Sequence, residues 1–156
     1  MAIAPTLQQY LADCRIEYDV MAHETTMSST RTAQACHVSG NCLAKAIVLR
    51  TGNGYMLAVL PASRHIRLSD LKTEIGEDVD LASEDEIQRL FPDCDRGAVP
   101  ALGQCYGLDV MVDDSIDEPP EVYLEGGDHA TLIHMSHAQF AKLMAQKRHA
   151  RFSSDG

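Results

Sequence analysis

The stretch Leu43-Ala44-Lys45-Ala46-Ile47-Val48-Leu49-Arg50-Thr51-Gly52-Asn53-Gly54-Tyr55-Met56-Leu57-Ala58-Val59-Leu60 decides the fold. Two apolar runs, Ala46 to Leu49 and Tyr55 to Leu60, flank Thr51-Gly52-Asn53-Gly54. Asn and Gly reach the backbone angles of a tight reversal that other residues resist, so the pattern predicts a β-hairpin. The runs are continuous rather than alternating, which implies strands covered on both faces. One lysine, Lys45, enters this apolar strand. Either its ammonium sits in water at the strand mouth with the stem along apolar surface, or it is a fixed cation inside a cleft, suited to a phosphate or an ester carbonyl.

Outward from the hairpin, the remaining elements follow from local signals. Pro5 suits a first helical turn, and Leu7, Tyr10 and Leu11 follow at helical spacing. Ile16 to Val20 alternates as a short strand, and a second helix is expected from Ser28 or Ser29 to near Gly40. Ser69 precedes a short helix ending at Gly76, and Ser83 with Glu86 forms a capping box that opens a helix toward Leu90. Residues 92–105 read as a loop punctuated by Pro92, Gly97, Pro100 and Gly103. Leu108 to Val112, Glu121 to Leu124 and Thr131 to Met135 are expected strands. Ser136 and Gln139 form a second capping box. The last helix carries Phe140, Leu143 and Met144 on one stripe and ends in Lys147 and Arg148. The expected class is α/β (α+β): a single domain over residues 1–150 with a mixed, mostly antiparallel central sheet flanked by helices, and a frayed tail over 151–156. No G-x-G-x-x-G follows a strand and no G-x-x-x-x-G-K-[ST] is present, which argues against a nucleotide binder.

Bulk properties narrow the function. The 156 residues are one ordinary domain, 45% apolar and 23% charged. There is no Trp and only 5% of residues are aromatic, which argues against a base-stacking RNA surface. The net charge of −10 argues against indiscriminate phosphate or DNA binding. Between residues 45 and 72, however, Lys45, Arg50, Arg64, Arg67 and Lys72 face the single acid Asp70. That run is either a solvated face or a small positive mouth on an acidic body, able to accept one RNA end. Cys14, Cys36, Cys42, Cys94 and Cys105 are odd in number and irregular in spacing, as expected of reduced cytosolic thiols. No basic-then-apolar leader is seen, and the longest apolar stretch, Tyr55 to Ala62, is far short of the roughly 20 residues of a membrane span. The expectation is a cytoplasmic protein with no membrane partner.

Two further segments carry chemistry-bearing patterns. In Gly97-Ala98-Val99-Pro100-Ala101-Leu102-Gly103, small side chains let backbone N–H groups approach a ligand, although a turn-rich connection would look the same. Gly126-Gly127-Asp128-His129-Ala130 joins two expected strands, and His129 is either a general base or pocket wall or a surface turn histidine. In order and spacing these segments resemble the YbaK-like family, which includes the editing domain of bacterial prolyl-tRNA synthetases and its free-standing relatives. The resemblance spans roughly residues 5 to 148. The Lys45 strand is similar to the family's lysine strand and Gly126-Gly127 to its glycine pair. Gly97 to Gly103 is similar to its Gly-x-x-x-Pro loop, except that Ala101 stands where the family has proline and Pro100 comes one place earlier.

The resemblance implies a trans-editing aminoacyl-tRNA deacylase that needs no cofactor. It would hydrolyse the ester of a tRNA mischarged with a small amino acid such as Ala, Ser, Thr or Cys, often on proline tRNA. Lys45 would engage the 3′-terminal nucleotide. Backbone groups around Gly97, Ala98 and Ala101 would hold the aminoacyl group and polarise its carbonyl. His129 would border the pocket, with Met27, Gly103, Gly126 and Gly127 as further contacts. The low positive charge, rather than the resemblance, points to weak intrinsic tRNA affinity and so to help from prolyl-tRNA synthetase or an elongation factor. Three readings compete. One is a zinc site from His129, His134 and His137 with Cys94 or Cys105, whose spacing matches no zinc motif. Another is a Cys36 nucleophile beside His37, which adjacent helical positions would point apart. The third is a non-catalytic module that binds aminoacyl-tRNA or a synthetase.

Overall fold

The hairpin forms where its turn residues put it. Strands β2 (Leu43–Thr51) and β3 (Gly54–Pro61) pair antiparallel from Ala44↔Pro61 to Thr51↔Gly54. Gly54 has φ +141, a conformation that a side chain would disfavour. The computed structural model describes residues 3–22, 39–52, 54–96 and 98–154. The helix expected after Ser28, together with Met27, Cys36, His37 and Gly97, lies outside the described residues.

Alternation along β3 explains its unbroken apolar run. Leu57 and Val59 enter one core cluster, while Met56, Ala58 and Leu60 enter another on the opposite face. The first face is covered by α1 (Pro5–Asp13), by α3 (Glu84–Leu90) and by α4 (His137–Met144), which contribute Leu7, Leu11, Ile87 and Phe140. The second face is covered by Leu71 of α2 (Leu68–Ile75) and by Phe152. With both faces buried, the hairpin is the middle of the molecule.

The other strands are β1 (Asp19–Ala22), β5 (Val79–Leu81), β6 (Asp109–Asp113), β7 (Glu121–Glu125), β8 (Thr131–Ser136) and β9 (Arg148–Ala150). They complete a mixed sheet in the order β1-β8-β7-β2-β3-β6-β9, with β5 also on β2. The β1–β8, β8–β7, β2–β3 and β2–β5 pairs are antiparallel; β2–β7, β3–β6 and β6–β9 are parallel. The single α/β domain, mostly antiparallel with four helices among the described residues, is the expected class.

Local departures have local causes. The strand expected from Ile16 begins only at Asp19, because α1 closes first. Arg15 takes φ 56, its N–H donates to the Ala12 carbonyl at 3.1 Å, and the Ile16 N–H reaches back to the Leu11 carbonyl at 3.0 Å. That Schellman closure keeps residues 14–16 in the helix end, with Ile16 buried. The Ser83–Glu86 capping box is present in full. At Ser136 only half of the expected box forms. Its hydroxyl accepts from the Gln139 N–H, while Gln139 Oε1 accepts from the Glu17 N–H at 3.3 Å instead of turning back. The last helix stops at Met144, and Arg148 instead starts β9 against β6.

The expected frayed tail is instead docked through residue 154. Phe152 is fully buried, and β10 (Ser153–Ser154) pairs with β4 (His65–Ile66). Asp113 is the anchor: its carboxylate accepts from the Phe152 N–H at 2.9 Å, the Ser153 hydroxyl at 2.8 Å and the Ser115 N–H at 3.1 Å. Burial pushes this carboxyl up, but the hydrogen bonds outweigh it and hold its pKa below the usual carboxylate value. A depressed native pKa contributes stability above the unfolded-state value near 4 and loses it as pH falls toward the native value.

Two outcomes are expected. Phe152→Ala removes a fully buried ring and lowers stability by about 3–5 kcal/mol in chemical denaturation; a change under 1 kcal/mol is incompatible with the docked tail. Asp113→Asn removes part of the stability lost on acidification below about pH 4, so its melting temperature varies less with pH there than that of the parent protein.

Candidate active site

The central strand β2 is not paired evenly along its second edge. Strand β7 covers it only at Leu43 and Ala44, and β5 only from Leu49 to Thr51. Residues 45–48 lie in the interval between the two ladders, where the Ala82 N–H donates to the Val48 carbonyl at 3.1 Å. A cavity of about 330 Å³ opens in this slot.

The pleat assigns the lining to two sides. Ala46, Ala82, Ile87 and Val99 pack with the core cluster beneath α1, α3 and α4, as does Val48. Ile47 packs with the cluster on the α2 side, and Lys45 shares its face by alternation. Leu81, 57% exposed, stands at the rim. Glu125, 8% exposed, is the remaining wall. The slot therefore has an apolar side and a charged side.

Lys45 is half-buried, and its ammonium donates to the Arg64 carbonyl at 2.7 Å. Burial lowers its pKa below the ordinary lysine value. Arg64 is itself secured: its Nε donates to the Ser153 hydroxyl at 2.7 Å and its Nη2 to the Ser153 carbonyl at 3.1 Å. The docked tail thus braces the carbonyl on which the lysine rests.

Helix α3 brings Ile87 to the slot, and the capping glutamate fixes that helix to the hairpin. Glu86 accepts from the Ser83 N–H at 2.9 Å, from Arg50 at 3.3 Å and from the Tyr55 hydroxyl. The Ser83 backbone bond, then the tyrosine, holds the Glu86 pKa down at about 2.

The expected site residues divide. Lys45 lines the cavity, and the loop after residue 97 reaches it through Val99. Ala98, Ala101 and Gly103 do not line it; their side chains or Cα are enclosed in the core. A Cβ at Gly103 would stand 3.0 Å from Leu57, which makes this glycine a close-packing requirement. The Ala98 N–H, expected to face the substrate carbonyl, is spent on the Asp95 carbonyl at 3.0 Å.

The double-glycine corner is a junction. The Gly126 carbonyl accepts from the Ala4 N–H at 2.8 Å, the Gly126 N–H donates to the Thr131 carbonyl at 2.9 Å, and the Gly127 carbonyl accepts from the Asp95 N–H at 2.7 Å. Gly127 has φ +113, and a Cβ there would meet Ala4 Cβ at 3.0 Å. His129, 7% exposed, is hydrogen-bonded through Nε2 to the Arg96 carbonyl. Since a carbonyl only accepts, Nε2 carries the proton. His129 is therefore the tie between this corner and the 95–99 loop, and it does not line the cavity. The corner reaches the slot through the preceding residue, Glu125.

Sequence reasoning missed Glu125, Val99 and Ile87. An acid ending an alternating strand just before Gly-Gly was the available signal for Glu125. Val99 and Ile87 read as ordinary apolar residues, and only the tertiary fold brings them to β2.

The histidines of the zinc reading, His134 and His137, are engaged elsewhere. His134 faces Asp19 at 3.5 Å and Glu121 at 3.2 Å, and His137 faces Asp117 at 3.3 Å. Burial pushes the Cys94 thiol up to about 11 and the Cys105 thiol up to about 12, so both are poor nucleophiles at neutral pH. Among the described residues, one group of three, Asp114, Asp117 and His149, has metal-ligand spacing, and none of them lines the slot. No helix among the described residues is long and apolar enough to cross a membrane.

The fold has counterparts among solved structures. Over 97% of this chain and 96% of the other, the fold is similar to a candidate trans-editing enzyme for prolyl tRNA synthetase, with TM-score 0.83 and 20% identity. It is similar to the hypothetical protein APE2540, with TM-score 0.84 and 18% identity over 96% of this chain and 99% of that one. A third solved structure, described as a candidate signal transduction protein from Marinobacter aquaeolei VT8, aligns at TM-score 0.80 and 21% identity over 96% of this chain and 30% of its own. Comparison with curated proteins gave no match. The model of the aminoacyl-tRNA editing domain matches residues 23–143, most of the chain, and the chain belongs to that family.

Proposed function

We propose that this protein is a trans-acting deacylase that hydrolyses the ester between a small amino acid and the 3′ end of a mischarged tRNA, with proline tRNA as the first candidate. The observation that carries this reading is the slot beside β2, with a half-buried lysine on one side and an apolar wall on the other. The candidate trans-editing enzyme of the same fold supports the choice of proline tRNA.

An aminoacyl ester is already labile, so positioning and charge stabilisation supply much of what catalysis needs. Lys45 exchanges the neutral Arg64 carbonyl for an anionic oxygen of the terminal nucleotide, a stronger charge-assisted bond. Water attacks the ester carbonyl and the acyl carbon–oxygen bond breaks. The ribose oxygen leaves with a proton derived from that water, and the amino acid departs as its carboxylate after releasing a proton to solvent. His129 acts through the loop it ties down and not as the base in this geometry. Cytoplasmic placement follows from the substrate, and a synthetase or elongation factor would compensate for the acidic body's weak attraction for RNA.

The walls contributed by Ala46, Val48, Ala82, Ile87 and Val99 offer no side-chain hydrogen-bond partner. A hydroxyl buried against them loses its bonds to water without replacement. Alanyl and cysteinyl esters therefore fit better than seryl and threonyl ones.

The test is release of free amino acid from proline tRNA charged in turn with Ala, Cys, Ser or Thr. Alanyl or cysteinyl tRNA is expected to be cleaved fastest, and Lys45→Ala is expected to lower kcat/KM by about 10- to 100-fold, the loss of one hydrogen bond to a charged group. Undiminished turnover by that variant removes the role given to the lysine, and intact retention of every labelled aminoacyl-tRNA identifies a binding module instead. Since burial lowers the Lys45 pKa, enzymatic turnover, corrected for alkaline hydrolysis, should decline with rising pH earlier than the usual lysine value near 10.4 would dictate.

A further inference from the structure

We infer that Glu125 is a specificity-determining residue that binds the free α-ammonium of the aminoacyl group, so that the slot accepts only esters whose amino group is unblocked. This rests on the deacylase reading above and adds the chemical class of substrate.

The placement comes from strand register. Ala44 pairs with Leu124 across the short parallel β2–β7 ladder, so the next residues, Lys45 and Glu125, stand side by side where that ladder ends. Alternation sends both side chains to the same face. Glu125 is 8% exposed and also pairs with Leu132 on its other edge, which leaves its backbone fixed within the sheet. Among the described residues lining the slot, Lys45 and Glu125 are the two with ionisable side chains; the rest are apolar.

A carboxylate on a cavity wall has a ligand-binding rationale that the same residue in solid core lacks. The two charges also match one ligand. The end of a charged tRNA carries an anionic phosphate, and close to the ester it carries an α-amino group that is substantially protonated near neutral pH. A cation and an anion lining one cavity recognise that pair of opposite charges, and a small apolar side chain then faces the walls formed by Ala46, Ile87 and Val99. If the amino group is acylated, the cation is lost and bulk is added at the carboxylate, so discrimination arises from both the missing attraction and the clash. A chain of amino acids still attached to tRNA is blocked in this way and would be spared.

The test uses the full-length protein and whichever of the four charged proline tRNAs it cleaves fastest, each assayed as prepared and after N-acetylation. The wild-type protein is expected to cleave the N-acetylated form at least tenfold more slowly. Glu125→Gln, nearly identical in shape, is expected to lower kcat/KM for the free-amino substrate about 10- to 100-fold while leaving the N-acetylated substrate unchanged, so that the ratio between the two collapses toward one. Equal cleavage of both forms by the wild-type protein overturns the inference while leaving the deacylase reading intact, and needs no variant. A parallel loss on both substrates in Glu125→Gln overturns it as well, since a residue that merely supports the fold gives that result. Failure of the wild-type protein to cleave any of the four charged tRNAs removes the deacylase reading and this inference together.

Discussion

Everything of interest depends on how the second edge of one central strand is shared. A strand buried on both faces normally needs a neighbour along each edge, because its N–H and C=O groups have no water to turn to. In β2 that neighbour changes partway, from parallel β7 at Leu43 and Ala44 to antiparallel β5 at Leu49 to Thr51. Two strands approaching from different parts of the chain cannot meet end to end without an interval, and the interval is the slot. The cavity is thus a property of topology, and its lining is whatever the strand and its two flanks present at residues 45–48, 81–82 and 125.

The supports around the slot are hydrogen bonds that join distant pieces of chain. Glu86 binds α3 to both strands of the hairpin, the Gly126–Gly127 corner joins the amino-terminal segment to the 95–99 loop, and His129 adds a second fastening to that loop. These groups are not themselves at the cavity. They fix the positions of Ile87 and Val99, which have no polar atoms of their own with which to fix them. This division suits a site whose discrimination is by size: one methylene changes selectivity by only about 1–3 kcal/mol, and a wall that yields would forfeit it.

The sequence was most legible where local chemistry decides the outcome. The hairpin, the Ser83–Glu86 box, the glycine stop at Gly76 and the stripe Phe140, Leu143 and Met144 all formed as their residues require. Long-range pairing was harder to read. Strands β5, β9 and β10 are two or three residues long and exist because a partner strand is already in place, so no periodicity announces them. The same holds for the site. Lys45 stood out as a lone charge in an apolar run, whereas Gly103, Gly126 and Gly127 stood out as small residues and proved to be demanded by packing against Leu57, Thr131 and Ala4. A glycine that admits a ligand and a glycine that admits another piece of chain look alike until the neighbours are known.

The docked carboxyl-terminal segment has a consequence beyond stability. Native structure opens at least cost where a short segment is held by few pairings, and β10 pairs with β4 over only two residues. Here residues 152–153 hold Arg64 and Arg67: the Phe152 carbonyl accepts from the Arg67 N–H at 2.6 Å, Ser153 binds the Arg64 guanidinium, and Arg64 in turn supplies the resting place of Lys45. Peeling away the last few residues would therefore loosen the ammonium's berth without touching any group that meets substrate. A protease nick near Phe152 would be felt at position 45, some hundred residues earlier in the chain.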